Sequence, residues 1–298
     1  MIYFVRLCLI VSAKCNRNCS YCIEHGAQWK DTDISPDVLE YLTALKPGDA
    51  TRVVCLSGGE PLLHPRRVMS LASVLPEHLH VKIATNGDLL TPDMVDFINE
   101  RGMELHLSHD GPNTSLTRGR DILRDSRLLG LLRRVRKLSI AYVVNDSTLT
   151  QEKYVPWFDS VLERDDWCPL LMIEASDNNV LLSRCVERKI FFTHHQRYNY
   201  FHWYQYNRET RKYPVTLTLH LNGDLYSMCQ KYNYGSLWQS QSDLDYKLEY
   251  QHNMEFEYCK NNQFCLVRSR CKRALRSGKR YCDYQALTSD PETVFIPL

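Results

Sequence analysis

The sequence predicts an α/β fold, a partial (β/α)6 barrel followed by a small cysteine-rich auxiliary domain that contains a β-hairpin. Two observations carry the barrel. Six short β-rich runs alternate with helical stretches, as in a parallel sheet built with crossover helices. Unusual loop motifs follow the first four runs, and chemistry in α/β folds gathers at the C-terminal ends of parallel strands. A third observation marks the boundary. After residue 210 the long periodic segments stop and cysteines become frequent, which divides the chain into domains 1–210 and 211–298.

The expected strands are Tyr3–Val11, Arg52–Leu56, His80–Ala84, Glu104–Ser108, Leu138–Val144 and Leu170–Glu174. Each is a short apolar or alternating run bounded by turn formers. Ser35-Pro36 and Thr91-Pro92 each offer an N-cap followed by proline at the first helical position, so helices begin there. The segment Phe191–Tyr206, dense in histidine and aromatics, reads as a last barrel helix with a packed face. Val215–Leu219 and Leu225–Met228 flank Asn222-Gly223-Asp224 and read as a hairpin, with Asn-Gly suited to a type I′ turn.

Composition narrows the class. A chain of 298 residues buries an ample core. A net charge of +2 gives bulk electrostatics no reason to select nucleic acid or a membrane surface. The apolar run Ile2–Val11 is broken by Arg6, follows no basic stretch and precedes no small-residue cleavage site, unlike a signal peptide. No segment approaches the roughly 20 apolar residues that span a bilayer. These features suit a cytoplasmic protein without a membrane partner.

Twelve cysteines stand out in such a chain, because reduced, clustered thiols bind metal more often than they pair. Cys8 and Cys55 lie inside expected strands and read as small buried hydrophobes. Glu174, at the end of the sixth strand, and Cys168 are weak candidates for a catalytic group. Cys15, Cys19 and Cys22 differ. They form C-x3-C-x2-C directly after the first strand, and three thiolates on one loop can hold three irons of a 4Fe–4S cube. Taken alone, the triplet also suits zinc with His25 as a fourth ligand. The rim carries further motifs: Ser57-Gly58-Gly59-Glu60-Pro61 after the second strand, Thr85-Asn86-Gly87 after the third and Ser108-His109-Asp110-Gly111-Pro112 after the fourth.

On the cysteine triplet with Tyr21 before its last member, and on the Gly58-Gly59-Glu60 turn, the chain resembles the radical S-adenosylmethionine superfamily. Leu107–Pro112 and the late cysteines resemble its SPASM/Twitch group. The resemblance implies a 4Fe–4S cluster on Cys15, Cys19 and Cys22, with S-adenosylmethionine on its open iron. It also implies an electron donor such as flavodoxin or ferredoxin. Reductive cleavage of the cofactor would yield a 5′-deoxyadenosyl radical that abstracts a hydrogen atom from the substrate. Glu60 is expected to accept from the methionyl amine, which Gly58 and Gly59 allow to approach, and Tyr21 to lie near adenine. Asn86 and Ser108 are expected as polar contacts, and Arg118 and Arg120 as partners of the cofactor carboxylate. The arginine run beyond them, through Lys137, is expected to be mostly the solvated face of a helix.

The late cysteines imply an auxiliary cluster of the Twitch kind, so two 4Fe–4S clusters in all. Cys229, Cys259, Cys265 and Cys271 are the first choice of ligands and Cys282 a replacement, with a structural zinc knot as the alternative. The implied substrate is a peptide or protein. A nucleoside, nucleotide or sugar is the second reading, and a non-enzymatic iron–sulfur or zinc scaffold the third.

Overall fold

The computed structural model describes residues 6–22, 31–47, 51, 53–144, 154–173, 216–227, 233–240 and 242–243. Within them the strands are β1 (Arg6–Ser12), β2 (Val53–Gly58), β3 (His80–Thr85), β4 (Glu104–Ser108), β5 (Leu138–Val144), β6 (Cys168–Ile173), β7 (Thr216–His220), β8 (Asp224–Ser227) and β9 (Asn233–Ser236). The helices are α1 (Pro36–Thr43), α2 (Pro65–Val74), α3 (Pro92–Glu100), α4 (Thr114–Arg118), α5 (Ser126–Arg134) and α6 (Tyr154–Leu162). β4 and β5 occupy the residues expected from sequence. β2 runs two residues further, through Gly58, and β6 starts two residues earlier, at Cys168. The expected helix 191–206 lies outside the described residues.

Helix starts follow local chemistry. Pro36 and Pro92 occupy the first turns of α1 and α3, and the Thr91 hydroxyl accepts from Met94 N at 3.3 Å. Asp125 caps α5 by accepting from Arg127 N and Leu128 N.

The described strands form one sheet in the order β6-β5-β4-β3-β2-β1-β7-β8-β9. All neighbours from β6 to β7 are parallel, as a partial barrel requires. In the hairpin, β7 lies parallel against β1, with Cys8 opposite Thr218, and so extends the barrel sheet. The hairpin turn departs from expectation. A type I′ turn needs positive φ at both central residues, and here only Gly223 has it, at +92°. Asn222 instead accepts from Asp224 N, and Leu221–Gly223 make a three-residue connection. Gly223 is required, since a Cβ there would stand 2.9 Å from the Trp238 ring.

Alternate strand residues divide the sheet into two faces. Leu7, Leu9, Val54, Leu56, Ile83, Leu105 and Leu107 pack against α1, α2, α3 and α5 in one apolar core. The opposite face is polar along its middle. Lys82 faces Glu104 across β3 and β4, and Ser139 faces both His106 and Cys168. Glu104 accepts from His80 at 2.6 Å, from Lys82 at 2.8 Å and from the Ser139 hydroxyl. Burial alone pushes its carboxyl up, but these donors and the Lys82 charge more than reverse this and hold it well below the usual range.

A depressed carboxylate contributes stability above its unfolded value, about 4.3, and loses it as pH falls through the folded value. Glu104→Gln is expected to melt below wild type near pH 7, the gap narrowing towards pH 3. Thermal melts across that range check this; a constant gap would contradict it. Among the described residues no helix is long and apolar enough to cross a membrane.

Candidate functional site

The end of β1 and the end of β2 meet so closely that glycine is obligatory. Gly59 N donates to Ser12 O and Glu60 N to Lys14 O, both at 2.8 Å. A Cβ on Gly58, whose φ is +123°, would stand 2.2 Å from Ser12 O, and one on Gly59 2.3 Å from Lys14 O. The two glycines therefore seat the chain that leads into the cysteine loop. Gly59→Ala is expected to push residues 12–14 off β2, lowering the melting temperature by several degrees and the iron content after reconstitution. Wild-type values for both would refute this role.

Cys15 is exposed, Cys19 buried and Cys22 half-buried. Burial raises the Cys15 and Cys19 thiols. Cys22 N donates to Cys19 O at 3.1 Å, closing a tight turn. Among the described residues no three His, Cys, Asp or Glu side chains gather around one ion position. In a 4Fe–4S cluster each of three such thiolates would bind a different iron.

Glu60 is fully buried under this loop. Its Oε1 accepts from Leu62 N at 3.0 Å and Thr85 Oγ1 at 2.7 Å, and its Oε2 from Asn86 N at 2.8 Å. Burial pushes its carboxyl up, and these bonds reverse that only in part. Glu60 thus ties the β2 turn to the end of β3, using three of about four acceptor positions. Asn86 extends the tie: its amide donates to Asn16 Oδ1 at 2.8 Å and approaches Cys15 Sγ at 3.9 Å.

On the other side, Tyr21 donates its hydroxyl to Asp110, and the Arg118 guanidinium lies 5.2 Å over its ring. Burial above all keeps the Tyr21 phenol protonated, far above its ordinary value. Arg118, expected as a partner of the cofactor carboxylate, is buried and forks onto Asp110 at 3.0 and 3.2 Å. Arg120 is half exposed and pairs with Asp88 and Asp125. Ser108 ends β4 opposite Ala141, partly buried. His109 is a core residue, stacked on Trp157 at 5.7 Å with Nε2 on Asp121 at 3.0 Å.

The structure therefore brings Cys15, Cys19, Cys22, Tyr21, Gly58, Gly59, Glu60, Asn86, Arg118 and Arg120 to one rim. Sequence reasoning did not single out Arg17, Asp88 or Asp110 as site residues, although Asp88 and Asp110 stand inside or beside motifs it did note. Cys229, Cys259, Cys265, Cys271, Cys282, His25 and Glu174 lie outside the described residues.

Comparison with known proteins is consistent with this geometry. A GTP 3′,8-cyclase of Chlorobaculum tepidum is 33% identical over 130 residues, 43% of this chain and 36% of the relative. An AdoMet-dependent heme synthase of Methanosarcina barkeri is 32% identical over 107 residues, 35% of this chain and 30% of the relative. The aligned segments thus span about a third of these curated relatives. The solved structure of anSMEcpe with bound AdoMet superposes with a TM-score of 0.63 at 17% identity, covering 87% of this chain and 88% of that one. Streptococcus suis SuiB, bound to its precursor peptide SuiA, gives 0.63 at 15% identity, covering 99% and 75%. Both share the α/β partial-barrel fold. Residues 9–149, which hold the cysteine loop, the Gly-Gly-Glu turn and the Asn86 and Asp110 loops, match the model of the Radical SAM superfamily.

Proposed function

We propose that this chain is a radical S-adenosylmethionine enzyme that cleaves its cofactor reductively and abstracts a hydrogen atom from a peptide or protein substrate. The observation that carries the reading is the three-thiol loop seated by Gly58 and Gly59 on the sheet rim, beside Tyr21, Glu60 and Asn86. When bound, the cluster supplies an electron and an open iron for the amino and carboxylate groups of S-adenosylmethionine. Cys15, Cys19 and Cys22 would hold it. Glu60 keeps the Leu62 and Asn86 backbone in place and would offer its remaining Oε2 position to the methionyl amine. Tyr21, Asn86 and Ser108 would meet adenine, ribose or methionine, and Arg120 would take the carboxylate. Arg118, occupied by Asp110, serves the loop.

An auxiliary 4Fe–4S cluster in residues 211–298, on Cys229, Cys259, Cys265 and Cys271 with Cys282 in reserve, belongs to the same proposal. So do the SPASM/Twitch assignment, a flavodoxin- or ferredoxin-like donor and a cytoplasmic location. A nucleotide substrate is the second reading, favoured by a relative named GTP 3′,8-cyclase.

Anaerobic reconstitution, followed by addition of S-adenosylmethionine and a chemical reductant such as dithionite, tests the core of the proposal. About eight irons per chain and 5′-deoxyadenosine formation are expected. A chain that takes up zinc and no iron would return the protein to the scaffold reading. Transfer of deuterium from a labelled peptide, or from a labelled nucleotide, into 5′-deoxyadenosine separates the two substrate classes.

A further inference from the structure

The spacing C-x3-C-x2-C has two gaps, and each is gripped by one buried carboxylate from a different strand end. In the first gap, Arg17 donates to Asp88 through Nε at 2.7 Å and Nη2 at 2.8 Å, and Asn16 Nδ2 donates to it at 3.1 Å. The Arg17 and Asp88 side chains are 4% and 7% exposed. Arg17 also reaches Arg120 O at 3.2 Å, and Asp88 N donates to Asn86 Oδ1. In the second gap, Tyr21 donates to Asp110, and Ser20 N donates to Thr117 O at 3.1 Å.

Asp110 is fully buried and accepts from four residues at once: Tyr21, Thr117 Oγ1 at 2.6 Å, Arg118, and Val143 N at 3.0 Å on β5. A buried carboxylate with so many charge-assisted donors is held rigidly, because losing any one leaves a buried polar group unmatched. Arg17 and Arg118 neutralise the two carboxylates, so neither grip requires a metal to balance its charge.

We propose that Asp88 and Asp110 are positioning residues that set the cysteine loop in its cluster-receiving shape before any cluster arrives. The role of the loop rests on the functional reading above; the grip itself does not. Neither aspartate is a cluster ligand here. Each acts through its gap residues, Asp88 through Asn16 and Arg17, Asp110 directly through Tyr21 and by way of Thr117 through Ser20. Cluster assembly then meets a loop whose ordering cost is already met by folding, which favours retention of the metal group.

The test is amide hydrogen exchange on the full metal-free chain, followed by anaerobic reconstitution. In wild type, the segment 15–22 is expected to exchange slowly, as the rest of the rim does. Asp88→Asn and Asp110→Asn are expected to speed exchange in that segment about tenfold or more, while peptides from α2 and α5 stay protected. Tyr21→Phe, which keeps the ring and removes only the Asp110 link, is expected to give a smaller acceleration confined to residues 19–22. After reconstitution these variants should lose iron to a chelator several times faster and show an altered EPR signal of the reduced cluster.

Asp88→Glu should recover part of both effects. Should Asp110→Asn not fold, Tyr21→Phe and Thr117→Val carry the test. Rapid exchange of residues 15–22 in the metal-free wild type overturns the proposal, as does wild-type exchange in all variants. Slow exchange lost in the variants, in a chain that takes up no iron, upholds the grip and overturns the functional reading instead.

Discussion

Cys19→Ala is expected to lose 5′-deoxyadenosine formation down to background and about four irons per chain, while the fold survives. Cys19 is the buried cysteine of the loop and sits at the junction of the two gaps, beside the Arg118–Tyr21 pair. Its removal deletes one of three cluster ligands and leaves a small apolar hole costing about 1 kcal/mol. The two effects separate by measurement. Iron and sulfide per chain report the cluster, a thermal melt reports the fold, and 5′-deoxyadenosine after reduction reports the chemistry. Product formation at the wild-type rate would end the radical reading.

Glu60→Ala carries the second-largest expectation, and its reason lies as much in the fold as in the cofactor. The substitution strips the acceptor from Leu62 N, Thr85 Oγ1 and Asn86 N, all buried. Unmatched buried donors cost about 1–3 kcal/mol each before relaxation, so a loss of roughly 3 kcal/mol is expected. In a domain of this size that lowers the melting temperature by roughly 6–10 °C. Glu60→Gln, which keeps an acceptor oxygen, should lose less stability. If Glu60 also meets the methionyl amine, Glu60→Gln should raise the cofactor's Kd while iron content stays at the wild-type level. A melt indistinguishable from wild type for Glu60→Ala would refute the tie; an unchanged Kd for Glu60→Gln would refute the contact.

Much of the barrel could be read along the chain, because strand and helix periodicity are local properties. β4 and β5 follow from apolar runs bounded by Glu104 and Ser108, and by Leu138 and Val144. The rim position of the cysteine triplet and of Gly58, Gly59 and Glu60 follows from their standing just after β-rich runs. The turn after β7 departs from the type I′ geometry that Asn-Gly signals locally. In the fold, Gly223 alone takes positive φ and the Trp238 ring packs against it.

What residue order establishes is therefore the list of elements, the end of the sheet that bears chemistry, and a thiol set suited to a cluster. Folding assigns the partners. That Gly58 and Gly59 yield to Ser12 and Lys14, that Tyr21 meets Asp110 across 89 positions, and that Arg17 meets Asp88 across 71 depend on strand order. The same holds for β7 settling beside β1. Periodicity reports which face a side chain takes, but only closure of the chain brings distant residues together. A buried carboxylate or guanidinium takes its role from whatever donor or acceptor that closure places against it.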